Sequence, residues 1–577
     1  MSKLIAGLQP SPRRRFLKQL LSLAAVAISN YAPSSLANSN LAPMRPPDSL
    51  SGPVFDLQIT EIDVNLTGNE RRAIAVNGSI PGPTLRWREG EDITIRVTNH
   101  LDVQTSIHWH GIILPYVMDG APGISFAGIE PGETFTYRFK VTQAGTYWYH
   151  SHSGMQEQLG LYGAIIIDPL TEVIHAEQDY VVQLSDWTDE HPDNVFAKLK
   201  QQSDYYNFNQ PTVVDFIQDV LQEGWAEAFD KRSMWNSMRM SMTDLADISA
   251  YTYTYLINGR PPQQAWSAVF HPGQCLRLRL INSGAQSIFD VRIPGLQMTV
   301  VQADGQAVHP VSVDEIRLGV AETYDVLITP TQPAYTLFAQ AMDRTGFACA
   351  AITSRPGLFA AVPALDNAEP LSMLDMMGDM GGMAEHMQHM QHAGMQHHAA
   401  APVTSQVRHA YTEFGPGVDM LVETPRSNLD DPGIGLRQNG RKVLTYADLR
   451  SVAGIVDSRL PERELELHLT GNMERYSWSF DGVVYQDASP IHFKHGERIR
   501  IILVNDTMMT HPVHLHGMWS DLEVDGGGAQ VRKHTLSVQP AQRISFLVTA
   551  DALGRWPWHC HLFYHMHAGM MREVVVA

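Results

Sequence analysis

Cysteine is nearly absent: Cys275, Cys349 and Cys560 are the only three in 577 residues. Their number and scatter exclude a disulfide scaffold and any zinc site built on CxxC pairs. A bond between Cys275 and Cys349 in an oxidising compartment stays open. Long apolar runs are missing too, since no segment after the first forty residues reaches the roughly 18 uncharged apolar residues of a membrane-spanning helix. Positive charge is in deficit, with 42 Lys and Arg against 61 Asp and Glu and a formal net charge of −19. That balance opposes a nucleic-acid partner and suits a soluble chain that meets cations. What is present is apolar material for several cores, 44% of residues, in a chain too long for one domain, so three or four units are expected.

Residues 1–37 read as an address. Ser11-Pro12-Arg13-Arg14-Arg15-Phe16-Leu17-Lys18 resembles a twin-arginine export signal, followed by an apolar run from Leu20 to Ile28 and a small-residue exit at Ser35-Leu36-Ala37. The resemblance implies a mature chain that is soluble in the bacterial periplasm or beyond, exported by a route that carries folded proteins.

After that the chain alternates. Asp92-Ile93-Thr94-Ile95-Arg96-Val97 and Phe135-Thr136-Tyr137-Arg138-Phe139 have strand periodicity, as do Leu276 to Leu280 and Arg498 to Val504. Three of these runs repeat one pattern: a turn at Glu89-Gly90-Glu91, His271-Pro272-Gly273 or His495-Gly496-Glu497, then a strand ending at Asn99, Asn282 or Asn505. Strands at regular spacing between turn signals predict an all-β chain of three Greek-key β-sandwiches. We place them at residues 50–169, 170–360 and 431–577. A helical insertion is expected in the second, around Asp215 to Asp247. Residues 361–430 form a linker whose centre interleaves Met373, Met376, Met377, Met380, Met383, Met387, Met390 and Met395 with His386, His389, His392, His397 and His398. Such a composition is not expected to build a core.

Four histidine clusters carry the chemistry: His108-Trp109-His110, His150-Ser151-His152, His511-Pro512-Val513-His514-Leu515-His516, and His559-Cys560-His561 followed by His565 and Met570. On a strand, residues two apart share a face, so each His-x-His sets two imidazoles on one wall. A single such motif arises by chance; four, two near each end of the chain, make sense only if the first and last units meet. In the last cluster, one thiolate from Cys560, two imidazoles from His511 and His565, and a distant thioether from Met570 make a trigonal site with a weak axial sulfur, which selects copper and one-electron transfer. Structural zinc sites are closed tetrahedra and fit less well. Cys560 as a catalytic nucleophile would leave the other histidines without a purpose.

These motifs, in this order, resemble the multicopper oxidases. The leader, the stretch Tyr116-Val117-Met118-Asp119-Gly120 and the Met/His-rich tract are most similar to the periplasmic copper-resistance oxidases of the CopA type. The resemblance spans the mature chain and implies cupredoxin-like domains and four copper ions. The type 1 copper would take His511, Cys560, His565 and Met570, and the type 2 copper His108 and His514. The type 3 pair would take His110, His150, His152, His516, His559 and His561. It also implies four-electron reduction of dioxygen to water, with an electron path from Cys560 through His559 and His561. Asp119 matches the family's acid near the type 2 copper and is the candidate for proton delivery; the plainer reading is a turn residue before Gly120. The family's second acid, just after the type 1 histidine, is here Met566.

The substrate is less legible. Thioethers favour cuprous ion, so the Met/His-rich tract points to Cu(I) oxidation, and its plainer reading is a linker of skewed composition. Met234, Met238, Met240 and Met242 form a second candidate group, whose plainer reading at mixed spacing near a helix is core packing; Met508 and Met509, close to His511, are too few to decide. The rivals are a copper-sequestering protein and a laccase-like oxidase of phenols; a copper nitrite reductase has no use for a type 3 pair. A monomer is expected.

Overall fold

The three repeated strands occupy equivalent places in the fold. Asp92–Asn99, Leu276–Asn282 and Arg498–Asn505 each run between a parallel neighbour (Val54–Asn65, Gln178–Trp187, Arg463–Asn472) and an antiparallel one (Thr134–Lys140, Thr323–Ile328, Arg543–Thr549). The asparagine that closes each strand is fully buried. Its amide nitrogen donates to two carbonyls across the sandwich edge, those of Val103 and Ile129, Ser287 and Leu318, or Met509 and Val538. Its carbonyl oxygen accepts the backbone N–H two residues on. One side chain thus supplies two donors and an acceptor where a strand turns into a loop, which is why the repeated pattern ends in asparagine.

The computed structural model describes residues 47–237, 240–378, 407–524 and 528–577. The expected leader and residues 379–406 of the Met/His-rich tract lie outside them, as does Met238. Among the described residues there are six sheets, and the second and third sandwiches have the same six-plus-five strand order. The chain is all-β in three sandwiches, as its patterning predicts.

In Asp92–Asn99 the alternation is realised, with Ile93, Ile95 and Val97 in the core and the intervening side chains outward. In Leu276–Asn282 both faces are buried. There Arg277 and Arg279 share the Asp325 carboxylate at 2.7 and 3.1 Å, and Arg279 also donates to Thr146 Oγ1 of the first sandwich at 2.9 Å. The polar face of this strand is covered by its neighbour and its charges are paired, which keeps their burial tolerable.

The expected helices are Val213–Glu223 and Trp225–Ser237, the first opened by a reciprocal Thr212–Asp215 cap and closed at Gly224. A third helix, Pro192–Gln201, was not anticipated; Pro192 begins it, where a missing N–H costs nothing. Met240 and Met242 pack against the core. The segment 361–430 differs from its expectation. Leu371, Met376, Met420 and Val422 are buried, because the helix Met373–Met377, capped by Ser372, turns one thioether inward, and Gly378 bridges Thr424. Residues 433–452 then run along the second sandwich, with Leu444 donating to the Glu315 carbonyl and His309 to that of Arg450. Cys275 and Cys349 are both free thiols.

One turn positions the candidate acid. Gly120, at φ +86°, follows Asp119, and a Cβ there would lie 1.9 Å from the Ile107 carbonyl oxygen. Gly120→Ala is therefore expected to cost about 2–3 kcal/mol, read as a lower thermal midpoint; an unchanged midpoint would contradict this packing.

Candidate metal centre

The first two motifs lie side by side. Strand His108–His110 pairs with Gly145–His150, placing His108 opposite His150, while Trp109 points into the first core. The last two motifs do the same: in strands His511–Leu515 and Gly554–Cys560, His514 faces His559 and Val513 faces Cys560. The walls interleave where the first and third sandwiches meet. His108 stacks on His516 at 3.9 Å between ring centroids, and His110 on His514 at 3.8 Å.

Eight imidazoles result, in overlapping groups whose ligand atoms lie within 4.8 Å of one another: His108, His150 and His152; His108, His110 and His514; His110, His150 and His561; His152, His516 and His559. A further group joins His511, Cys560 and His565. There His511 Nδ1 lies 3.5 Å from Cys560 Sγ and 3.2 Å from His565 Nδ1. Met570 is fully buried beside them, its carbonyl accepting the Cys560 N–H and its N–H donating to the His565 carbonyl. The fold thus brings together every residue the motifs single out.

Backbone carbonyls decide which ring nitrogens face inward. A carbonyl only accepts, so Nδ1 carries the proton in His108 (to Asp119 O, 2.8 Å), His514 (to His534 O, 2.6 Å) and His559 (to Cys560 O, 2.9 Å). Each keeps a lone pair on Nε2. His150 is fixed alike by the Ser151 carbonyl and by Glu157 Oε2 at 2.7 Å, and His516 Nδ1 donates to Asp119 Oδ2 at 2.9 Å. His110 is reversed, with Nε2 on Thr535 Oγ1 and Nδ1 free. Buried nitrogens without a hydrogen-bond partner are left on His108, His110, His150, His152, His514 and His561, and His516 and His559 offer Nε2 only to each other at 3.1 Å. Orphaned nitrogens on converging rings are costly unless a cation takes them, so the donor set fits bound metal. At the cysteine group, Thr507 Oγ1 holds His511 Nε2 at 2.6 Å and Asp247 Oδ2 holds His565 Nε2 at 2.8 Å, turning both Nδ1 atoms toward Cys560. Trp478 stacks on His565 at 3.8 Å.

Asp119 lies at the seam, with Oδ1 3.3 Å from His108 Nδ1 and Oδ2 on His516. Sequence reasoning missed Asp247, Thr507, Glu157 and Thr535. None of the four carried a signal in the sequence.

Three family models described as multicopper oxidase match residues 58–172, 178–354 and 458–577. The chain belongs to the multicopper oxidase family and is a copper enzyme that oxidises its substrate with dioxygen. It is 56% identical over 563 residues to a copper resistance protein A homolog of Pseudomonas syringae pv. tomato, covering 92% of this chain and 93% of that one. It is 53% identical over 599 residues to copper resistance protein A of Escherichia coli, covering 98% and 99%. Among solved structures, Fet3p, a multicopper oxidase that functions in iron import, is similar in fold, with TM-score 0.62 and 18% identity over 91% of this chain and 90% of that one.

Burial, reinforced by neighbouring imidazoles, holds His110, His150, His152, His511, His514, His516 and His561 well below the ordinary imidazole range, and His559 at about 4. Within the cluster only Glu157 acts in the opposite sense, pushed up by burial and by Asp186. The unfolded chain takes up protons below about pH 6.5 that these folded histidines refuse, so stability present above that pH is lost as pH falls. The urea midpoint of the copper-free protein is expected to drop between about pH 7 and pH 5; a midpoint that rises on acidification would contradict neutral buried imidazoles.

Proposed function

We propose that the protein is a cuprous oxidase that works in the periplasm, exported by its twin-arginine leader, and that serves copper resistance. We assign four copper ions: type 1 to His511, Cys560, His565 and Met570; type 2 to His108 and His514; and the type 3 pair to His110, His150, His152, His516, His559 and His561. Copper bound there supplies one-electron acceptance from substrate at the first site and four-electron reduction of dioxygen to water at the other three. The division into domains at 50–169, 170–360 and 431–577, with 361–430 as linker, belongs to the same reading, as does a monomer.

The chain itself contributes connectivity and protons. Cys560 sits between His559 and His561, so its sulfur is joined through a few covalent bonds to two rings of the cluster. Asp119 sets one carboxylate oxygen beside His108 and the other beside His516, the place from which it would relay protons to the cluster. Glu157, buried against His150, supplies a second acid where the chain has Met566 in place of the family's carboxylate.

The observation that carries the cuprous reading is a buried type 1 site flanked by thioethers. His511, Cys560 and His565 are all wholly buried. Helix Pro192–Gln201 helps to cover them, with Phe196 stacked on Tyr564 and Lys200 donating to the Tyr476 carbonyl. Two pockets beside Thr510 share Met342, one adding Met508 and the other Met509. Thioethers suit a soft ion, whereas a phenol needs an open slot over an imidazole edge. The names of the relatives, copper resistance protein A, support the same reading.

Oxygen uptake separates the alternatives. The copper-loaded protein is expected to consume oxygen with Cu(I) and not with a bulky phenol unless copper is added. Removing residues 379–398, which spares the buried Leu371 and Met376, should raise the half-saturating Cu(I) concentration several-fold. Phenol turnover without added copper would make it laccase-like, and copper binding beyond four ions without uptake would make it a sequestering protein. Cys560→Ser should abolish uptake and the intense visible absorption of a copper thiolate while the copper held by the eight-histidine cluster remains; retained absorption would overturn the type 1 assignment.

A further inference from the structure

A third convergence of ligand atoms lies in the third sandwich, apart from the two groups already described. His409 and Glu413 stand on the turn Tyr411–Phe414 and the residues just before it, His468 on strand Arg463–Asn472, and Asp506 directly after strand Arg498–Asn505. Their side chains are 6%, 1%, 2% and 0% exposed, respectively. Four atoms meet. His409 Nδ1 is 2.7 Å from Glu413 Oε2 and 3.6 Å from Asp506 Oδ2, and His468 Nδ1 is 3.4 Å from Glu413 Oε2 and 2.6 Å from Asp506 Oδ2. A tetrahedral zinc with bonds of about 2.0–2.2 Å sets its ligands about 3.3–3.5 Å apart. Two of the four imidazole-to-carboxylate distances already have that length, and the two short ones would have to open by less than about 1 Å.

The surroundings are those of a built site. Each carboxylate spends one oxygen on the backbone and turns the other inward: Glu413 Oε1 accepts the Ala410 N–H at 2.8 Å, and Asp506 Oδ1 accepts the Val422 N–H at 2.9 Å. His468 Nε2 lies 3.7 Å from Glu466 Oε1, and the Nε2 atoms of both His409 and His468 are buried without a hydrogen-bond partner. Two carboxylates and two neutral imidazoles bring two negative charges, which one divalent cation balances in a buried place. Two imidazoles and two carboxylates suit zinc or copper(II) and not a soft monovalent ion.

We propose that His409, His468, Glu413 and Asp506 bind one divalent transition ion, zinc or copper(II), at a structural site separate from the oxidase centre. Without metal, the same groups form ion pairs: although burial opposes it, the carboxylates of Asp506 and Glu466 push His468 up to about 10. An ion would replace those protons. It would pin the segment by which the chain re-enters the third sandwich after residue 406 to the loop that begins at Asp506. Thr507, the next residue in that loop, holds His511.

The full-length, copper-loaded protein is to be titrated with zinc(II) alone, with bound zinc and copper both measured per chain. Wild type is expected to retain one divalent ion more, zinc and copper summed, than Glu413→Gln or His409→Asn, and zinc should raise the thermal midpoint of wild type only. An equal sum of zinc and copper in all three chains would overturn the proposal. Should the variants not fold, anomalous diffraction at the zinc edge from wild-type crystals decides: a peak among the four side chains supports the site, and its absence at saturating zinc overturns it.

Discussion

Eight imidazoles packed in one place cannot all be charged together, and that constraint organises the molecule. Protonated rings stacked at 3.8–3.9 Å would repel in a medium too apolar to screen them. Neutral rings avoid the repulsion only if one nitrogen of each is given an acceptor and the other a use. For His108, His514 and His559 the carbonyls of Asp119, His534 and Cys560 are the acceptors, and a bound metal would be the use. Because the carbonyls belong to the strands and turns carrying the ligands, the sandwiches orient the cluster before metal arrives, and little has to reorganise on binding.

The same logic reaches the cysteine site by different means. Its two histidines are oriented by side chains, Thr507 and Asp247, instead of carbonyls. Asp247 belongs to the second sandwich and also accepts from Tyr476 Oη at 2.9 Å and from Gln286. The orientation of His565 therefore depends on contact between the second and third sandwiches, as the cluster depends on contact between the first and third. The cluster draws its histidines from two domains, and the cysteine site draws one orienting group from a second.

Much of this was legible in the sequence because strands have a period of two. His-x-His is a statement about one face of a strand, and four of them state that two walls must meet. The repeated strand ending in asparagine was equally legible, since Asn99, Asn282 and Asn505 make the same three local bonds. The supporting groups were not. Asp247 reaches His565 across 318 residues of sequence, and Glu157 is an unremarkable acid until folding sets it on His150. The structured ends of the Met-rich segment were also hidden, because composition describes the tract as a whole and not the single helical turn that buries Met376. Arg277 and Arg279 stand at the alternate positions of a strand with period two, and their burial rests on partners distant in sequence, Asp325 for both and Thr146 of the first sandwich for Arg279.

The most direct test is anomalous diffraction at the copper edge from crystals of the copper-loaded protein. The account predicts one copper among His511, Cys560, His565 and Met570, and three enclosed by the eight histidines of the first and third sandwiches. A copper-loaded protein whose eight-histidine cluster holds no metal, or whose cysteine site lies vacant while the cluster is full, would contradict it.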